Sequence, residues 1–227
     1  MMALERLSVF GNPNIGVYIL ATDKYAIVPP GLAPKTLEAI SSTLGIEPSR
    51  IVETRIAGTV IIGVMASGNS NGILLPRIVR EEEVTAIRRV LDINVAVLES
   101  RNTAIGNIVL ANDKAAVVYP ELEEPALKTI RDTLGVEVER RTIVHIPTVG
   151  SVAVITNKGG LVHPDVSDQE LEFLSQFFGV PLDVGTVNFG VPFIKTGLVA
   201  NSRGALIGEQ TTGPELMRIQ RALNLER

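Results

Sequence analysis

The sequence predicts a mixed α/β fold in which five similar units form a ring that the N-terminal strand closes. A pattern of about 45 residues recurs five times, and each copy combines a strand hairpin with an amphipathic helix. The last copy lacks its final strand, whereas the N-terminus opens with a strand that no helix precedes. We therefore expect residues 1–227 to form one domain, a five-bladed α/β propeller with five-fold pseudosymmetry.

The hairpins define the repeat. Each has an apolar strand, a turn rich in Asn, Asp, Ser, Gly and Lys, and a second apolar strand that usually ends at proline. Such turn residues adopt the positive φ angles that tight hairpins require. The hairpins cover residues 19–30, 65–76, 109–120, 154–164 and 199–208, and the equivalent residues Pro30, Pro76, Pro120, Pro164 and Gly208 are spaced by 46, 44, 44 and 44 positions.

An amphipathic helix follows every hairpin. Apolar residues three to four positions apart indicate the helical period. Ser167 and Glu170 predict a capping box at the start of the fourth helix. The apolar sets are Leu37, Ile40 and Leu44; Val84, Ile87 and Leu91; Leu127, Ile130 and Leu134; Leu171, Leu174 and Phe178; Leu216, Ile219 and Leu223, and the helices are expected to end at Gly45, Asp92, Gly135, Gly179 and Asn224.

A further strand completes each unit except the fifth. We predict these strands at residues 51–56, 95–100, 136–144 and 184–188. Three residues follow Asn224, whereas residues 6–11 form a strand at the other end of the chain. The N-terminal strand is therefore expected to complete the fifth unit, which leaves no free sheet edge. An ordinary α/β sandwich with accidental periodicity is the alternative.

Composition excludes several classes of protein. The absence of cysteine excludes disulfides, thiolate nucleophiles and cysteine metal sites. The formal charge of −4 has the wrong sign for a protein that holds nucleic acid mainly through phosphates. Residues 56–76 carry no charge, but the polar run at 67–72 interrupts them, and the N-terminus has no signal-peptide pattern. We expect a soluble cytoplasmic protein.

Side chains capable of catalysis are few and scattered. His145 is predicted in a strand, and His163 stands where other units have Leu or Tyr, so a packed structural role is favoured over a ligand role. Ser67 and Ser70 have no identifiable histidine base, and residues 68–72 lack the lysine of a phosphate-binding loop. We expect no catalytic residue, no cofactor and no metal.

Acidic residues fall mainly at the predicted helix starts. Glu81, Glu82 and Glu83 occupy the first turn of the second helix, where negative charge interacts favourably with the helix dipole. A solvated helix cap is therefore the expectation for this run.

A glycine enters the central strand of every unit. Equivalent positions of a ring lie on one face, so the glycines and the residues after them predict a flat surface suited to protein docking. Relief of crowding where strands start near an axis is the equally open alternative. The glycines are Gly16, Gly63 (or Gly58), Gly106, Gly150 and Gly197, and Val17, Val64, Asn107, Ser151 and Leu198 follow them.

Several of these motifs resemble one known family. Residues 112–120, 157–164 and 181–188, together with Ile105-Gly106-Asn107 and Val149-Gly150-Ser151, are similar to the translation initiation factor 6 family in its shorter archaeal form. The resemblance runs from about Leu7 to Leu223. It implies a pentein fold, the five-fold pseudosymmetric α/β propeller.

The resemblance also implies a function without turnover. Members of this family bind the large (50S) ribosomal subunit on its intersubunit side, at a ribosomal protein near the sarcin-ricin loop, and keep the small subunit from joining. A role in large-subunit maturation, a local rRNA contact and a monomeric state are further expectations. No membrane and no small-molecule substrate is expected as a partner.

The family also points to candidate ribosome-binding residues. Its positions that affect subunit binding match Gly16, Val64 and Asn107 of this chain, although Val64 replaces the basic residue of eukaryotic members. The candidate ribosome-binding set is Gly16, Gly63, Val64, Gly106, Asn107, Gly150 and Ser151.

Two alternatives remain. One is a docking scaffold for a non-ribosomal partner. The other is an enzyme, because penteins include guanidino-modifying enzymes, but the cysteine nucleophile that these enzymes use is absent here.

Overall fold

The computed structural model describes residues 4–225 and contains five three-stranded sheets. In each sheet two antiparallel strands form a hairpin, and the third strand runs parallel to the second. The sheets are β2 (Leu20–Ala21), β3 (Ala26–Val28) and β4 (Ile51–Glu53); β5 (Ser67–Gly68), β6 (Gly72–Pro76) and β7 (Asn94–Leu98); β8 (Val109–Ala111), β9 (Ala115–Val118) and β10 (Glu137–Arg140); β11 (Ala153–Ile155), β12 (Gly160–Val162) and β13 (Leu182–Val184); and β14 (Leu198–Ala200), β15 (Ala205–Gly208) and β1 (Leu4–Leu7). We call these units repeats one to five.

The N-terminal strand completes the sheet of repeat five, as the sequence predicts. Strand β1 lies parallel to β15, with Leu4 opposite Ala205 and Leu7 opposite Gly208. The strand begins earlier than residues 6–11 would suggest and is followed by a tight turn in which Phe10 has φ +53°.

Four amphipathic helices join the second and third strands of repeats one to four, because a parallel pair needs a long crossover connection. A fifth, in repeat five, follows β15, whose parallel partner β1 comes from the start of the described chain. Left-handed Gly45, Gly135 and Gly179 terminate three of them, as predicted. The helices are α1 (Pro34–Leu44), α3 (Glu81–Val90), α5 (Glu124–Leu134), α6 (Asp168–Phe178) and α8 (Gly213–Ala222); the helical turns α2 (Ile62–Met65), α4 (Ile105–Ile108) and α7 (Ile194–Gly197) and the 3₁₀ helices Ile15–Val17 and Pro48–Arg50 are short.

The third strands end sooner than predicted, and left-handed turns follow three of them, β4, β10 and β13. Ala57, Val144 and Asn188 have φ angles of +53°, +52° and +47°, and none of them is glycine. His145 also has positive φ and is exposed, so the prediction that it lies in a strand is wrong. Such φ values are unfavourable for residues with a Cβ and need support from neighbouring groups.

Glu83 provides that support in the turn between repeats one and two. It is 4% exposed, its Oε2 accepts hydrogen bonds from the backbone N–H groups of Ala57 (2.7 Å) and Arg80 (3.0 Å), and its Oε1 accepts one from Gly58 (2.7 Å). The prediction of a solvated cap is therefore wrong for Glu83, while Glu81 and Glu82 are exposed. A carboxylate that accepts several N–H groups is stable in a buried position.

The capping box of α6 forms only in part. Ser167 Oγ accepts the Glu170 backbone N–H at 3.3 Å, but the Glu170 carboxylate accepts from Val144 instead of returning to Ser167. Glu170 thus supports the left-handed turn between repeats three and four, as Glu83 supports the one between repeats one and two.

One side-chain oxygen shapes every hairpin turn. Thr22, Asn69, Asn112, Thr156 and Asn201 occupy equivalent positions and accept backbone N–H groups two and three residues further along. This is the local hydrogen bonding that favours Asn and Thr in turns.

The asparagines also join neighbouring repeats. Asn112 Nδ2 donates to the carbonyls of Thr156 (3.3 Å) and Phe178 (3.1 Å) in repeat four, and Asn69 bonds repeat three in the same way. Asn201 bonds repeat one. The hydroxyls of Thr22 and Thr156 donate within their own hairpins instead.

The hydrophobic core consists of five clusters, each shared between neighbouring repeats. Buried Val199 and Leu206 of repeat five pack with Ile40 and Leu44 of repeat one. Tyr25 of repeat one packs in the cluster of repeat two, where its hydroxyl donates to the Gly72 carbonyl at 2.9 Å. Each repeat therefore contacts the next, and the fifth contacts the first.

Candidate docking surface

The predicted glycines lie in helical turns, where neighbouring repeats approach most closely. A Cβ atom placed on Gly63 would overlap the carbonyl oxygen of Gly16, one on Gly106 that of Gly63, and one on Gly150 that of Gly106. Only glycine permits such a close backbone approach. Crowding therefore explains these four glycines, and all four are buried.

Gly197 does not belong to this set, so its prediction is wrong. The equivalent residue of repeat five is Lys195, whose carbonyl oxygen packs against Gly16 as the Gly16 carbonyl packs against Gly63. Gly197 lies against Asn188 and Val187. The prediction of Gly197 relied on residue type, because the other four positions are glycines. The spacing identifies Lys195 instead, since each of the five equivalent residues precedes its predicted helix end by 29 positions.

The residues that follow the five equivalent positions form a half-exposed surface. We call Val17, Val64, Asn107, Ser151 and Thr196 the turn face; every one is partly exposed, whereas the predicted Leu198 is buried. The Asn107 carbonyl accepts the Gly150 N–H at 2.8 Å, and the Ser151 carbonyl accepts that of Lys195 at 3.2 Å. These bonds fix the turns while leaving the side chains of Val64 and Asn107 accessible.

Exposed aromatic rings occur in the segments that lead into the turns of repeats one and five. Phe189 is 81% exposed, Phe10 54% and Phe193 41%. Phe10 packs edge-on against Tyr18, and Phe193 packs edge-on against His163. Exposed aromatic side chains of this size are typical of protein contact sites.

A central cavity of about 80 Å³ lies beneath the turns and is lined by residues from all five repeats. Leu20, Val109, Ile155 and Leu198 line the cavity together with Lys195. This volume is far smaller than the clefts that bind substrates or cofactors.

The hairpin turns between the first and second strands of the repeats carry polar side chains that bond one another. Asn157 Nδ2 donates to the carboxylates of both Asp23 and Asp113 at 2.8 Å. Asp23 also accepts from Ser202, and Asp113 from the Ser70 backbone. These contacts use the acidic groups for structure.

The candidate catalytic side chains are likewise engaged in structural contacts. His163 is buried, as predicted, and its Nδ1 accepts the Asp165 N–H at 3.2 Å. The Ser67 hydroxyl donates to the Val109 carbonyl at 3.0 Å. Within residues 4–225, no three His, Cys, Asp or Glu side chains converge as metal ligands, and no helix is long and apolar enough to cross a membrane.

Fold and surface together define a repeat protein of five α/β units with a shallow, half-exposed face. Comparison with known proteins places it more specifically, since the model of the eIF-6 family matches residues 4–222. The chain is 55% identical to translation initiation factor 6 of Aeropyrum pernix, over 97% of this chain and 94% of the relative. It is 52% identical to that of Saccharolobus solfataricus, over 98% and 99%, and 44% identical to that of Pyrococcus horikoshii, over 98% and 99%. The chain belongs to the eIF-6 family of translation initiation factors.

Proposed function

We propose that the protein binds the large (50S) ribosomal subunit and sterically prevents the small subunit from joining. The observation that carries this proposal is the family match along nearly the whole chain. A factor that acts by occlusion needs a docking face and no catalytic centre, and a standard interface of roughly 800 Å² on each partner suffices.

We propose the turn face as the docking surface, with the aromatic rings of Phe10, Phe189 and Phe193 at its side. It is shallow and mixes apolar with small polar side chains. The main partner is a ribosomal protein near the sarcin-ricin loop, because the net charge of −4 disfavours a surface of phosphates. A local rRNA contact at the margin is compatible with this.

We further propose that the five repeats close into a single ring-shaped domain of the pentein type. The pairing of β1 with β15, the bonds from Asn201 to repeat one and the packing of Gly16 on Lys195 all support closure. The protein would act as a monomer in the cytoplasm, with a role in large-subunit maturation as well.

Sedimentation tests the proposed function. Purified archaeal large subunits are incubated with the protein, small subunits are added, and joined particles are separated on a sucrose gradient. We expect the protein to migrate with the large subunit and the joined particles to disappear. Protein that stays at the top of the gradient, or particles that join normally at saturating protein, would overturn the proposal and leave a non-ribosomal scaffold.

A matched pair of variants tests the docking surface. Asn107→Asp places a negative charge on the turn face and should weaken binding at least tenfold. Gln169→Glu makes the same amide-to-carboxylate change on exposed α6 and should bind as the wild type does. Gly106 is unsuited to this test, because a side chain there meets the Gly63 carbonyl and would alter folding. Equal binding by both variants would place docking elsewhere.

A further inference from the structure

Lys195 puts a cation among the helical turns, at a position where the other four repeats have glycine. Its side chain crosses to repeat three, where Nζ donates a hydrogen bond to the Gly106 carbonyl oxygen at 2.6 Å. Gly106 immediately precedes Asn107 of the turn face. Lys195 therefore lies close to the residues proposed for docking.

The Lys195 ammonium lacks a counter-charge. An ammonium group has three N–H donors, and Gly106 is its one hydrogen-bond acceptor among residues 4–225. The four ion pairs in that part of the chain do not include Lys195. Two of its donors thus have no acceptor among the described residues.

No other titratable group faces Lys195 from the elements packed on α7. These elements are the Ile15–Val17 helix, β11, β14 and β15, and none contains an ionisable side chain. The carboxylates of Asp23 and Asp113 are held at the hairpin ends by Asn157, Ser202 and Ser70. Burial alone lowers the pKa of Lys195, to about 7.

We propose that Lys195 is the ionic anchor of the docking surface and pairs with a carboxylate of the partner protein. This inference rests on the proposed function, because it names the chemistry of the group that meets the turn face. A half-buried ammonium with free donors gains strongly from an opposite charge that arrives with a desolvating partner.

A carboxylate fits the surroundings better than an RNA phosphate does. Lys195 is the one Lys or Arg within the five turns at 15–17, 62–65, 105–108, 149–151 and 194–197. Tracking a nucleic-acid backbone requires several cations, and the protein as a whole is negatively charged. A single isolated cation matches a single acidic side chain.

The proposal predicts that docking takes up a proton. A paired carboxylate stabilises the ammonium form, so the pKa of Lys195 rises in the complex. At pH 8 the free amine is mainly neutral and the bound amine is charged, which gives an uptake approaching one proton per complex. An apolar partner would instead lower the pKa further and release the remaining proton.

Calorimetry with purified large subunits in buffers of different ionisation enthalpy measures this proton count at pH 8. The wild type should take up nearly one proton more than Lys195→Met, and its affinity should fall as the pH rises from 7 to 9. Lys195→Arg should keep binding while losing that pH dependence. Unfolding curves for both variants establish that they are folded.

Each of the other outcomes would contradict a different part of the proposal. Binding with zero difference in proton count, or with proton release, would overturn the anchor while leaving the proposed function intact. A steep dependence of affinity on salt that is lost in Lys195→Met would indicate phosphates and overturn the carboxylate assignment. If the wild type fails to bind large subunits, the proposed function itself fails.

Discussion

The Nδ2 atom of Asn201 lies 2.8 Å from the carbonyl oxygen of Leu44, although the two residues are 157 positions apart in the sequence. A second hydrogen bond joins the same Nδ2 atom to the Thr22 carbonyl at 3.0 Å. The last repeat is thereby held to the first with the same geometry that holds Asn112 to repeat four.

This equivalence predicts that Asn201→Ala and Asn112→Ala destabilise the protein equally. Each variant removes two buried hydrogen bonds to a neighbouring repeat and the local turn bonds, so we expect a loss of about 2–3 kcal/mol in each case. Urea unfolding followed by circular dichroism measures both. A much smaller loss for Asn201→Ala would show that the contact between the first and fifth repeats is weaker than the internal ones.

Glu83 should contribute far more to stability than its two neighbours in the sequence. Glu83→Gln replaces an acceptor of three backbone N–H groups with an amide that carries two donors of its own. We expect the free energy of unfolding to fall by about 2 kcal/mol, against less than about 0.5 kcal/mol for exposed Glu81→Gln. Thermal denaturation of the two variants makes the comparison, and similar midpoints would contradict it.

Glu215 predicts a loss of stability in acid. Its partial burial raises the pKa, but N–H groups of Thr212 and Gly190 and hydroxyls of Thr186 and Thr212 bond the carboxylate and lower the pKa from 4.5 to about 2. The unfolded chain therefore binds a proton more readily between these values, and stability falls as the pH drops from 4.5 towards 2.

The Glu215→Gln variant isolates this contribution. The wild type should exceed it in stability by about 2 kcal/mol at neutral pH, a figure reduced for the partial exposure of the side chain. The difference should shrink steadily below pH 4.5. A difference that stays constant down to pH 2 would show that the carboxylate charge is not responsible.

Lys195 should make the stability of the protein depend on pH above neutrality. Its pKa is lowered by burial from 10.5 to about 7, so the unfolded chain binds the proton more tightly between these values. The free energy of unfolding of the wild type should rise across that range. Lys195→Met should be the more stable protein at pH 6 and should lose its advantage towards pH 10.5. Urea unfolding at several pH values checks this, with Lys195→Arg as the variant that stays charged.

The repeat spacing predicted the hairpins and helices because local chemistry determines both. An Asn or Thr oxygen bonds its own turn, and a left-handed glycine ends three of the helices. The left-handed turns at Ala57 and Val144 escaped prediction because distant carboxylates, Glu83 and Glu170, supply their bonds.

The candidate surface was predicted in outline but not in its details. The glycines marked the turns correctly, but they are buried there by backbone contact, and the residues after them are the accessible ones. Lys195 was missed because a lysine does not share the property, the missing Cβ, by which the other four positions were recognised. Its hydrogen bond to Gly106 depends on the tertiary arrangement of repeats three and five.

The threonines at two of the five hairpins make the boundaries between repeats unequal. An asparagine joins repeat two to three, repeat three to four and repeat five to one. Between repeats one and two, where Thr22 occupies the equivalent position, the Tyr25 hydroxyl donates to the Gly72 carbonyl instead. Thr156 bonds only its own hairpin turn. Side chains of α8 join repeats four and five instead, since Glu215 accepts hydrogen bonds from Thr186 and Gly190 and Arg218 donates one to the Val184 carbonyl. Because the Lys195 N–H also bonds the Ser151 carbonyl at this boundary, one of the bonds between repeats four and five lies within the surface proposed to meet the ribosome, and docking there would cover it.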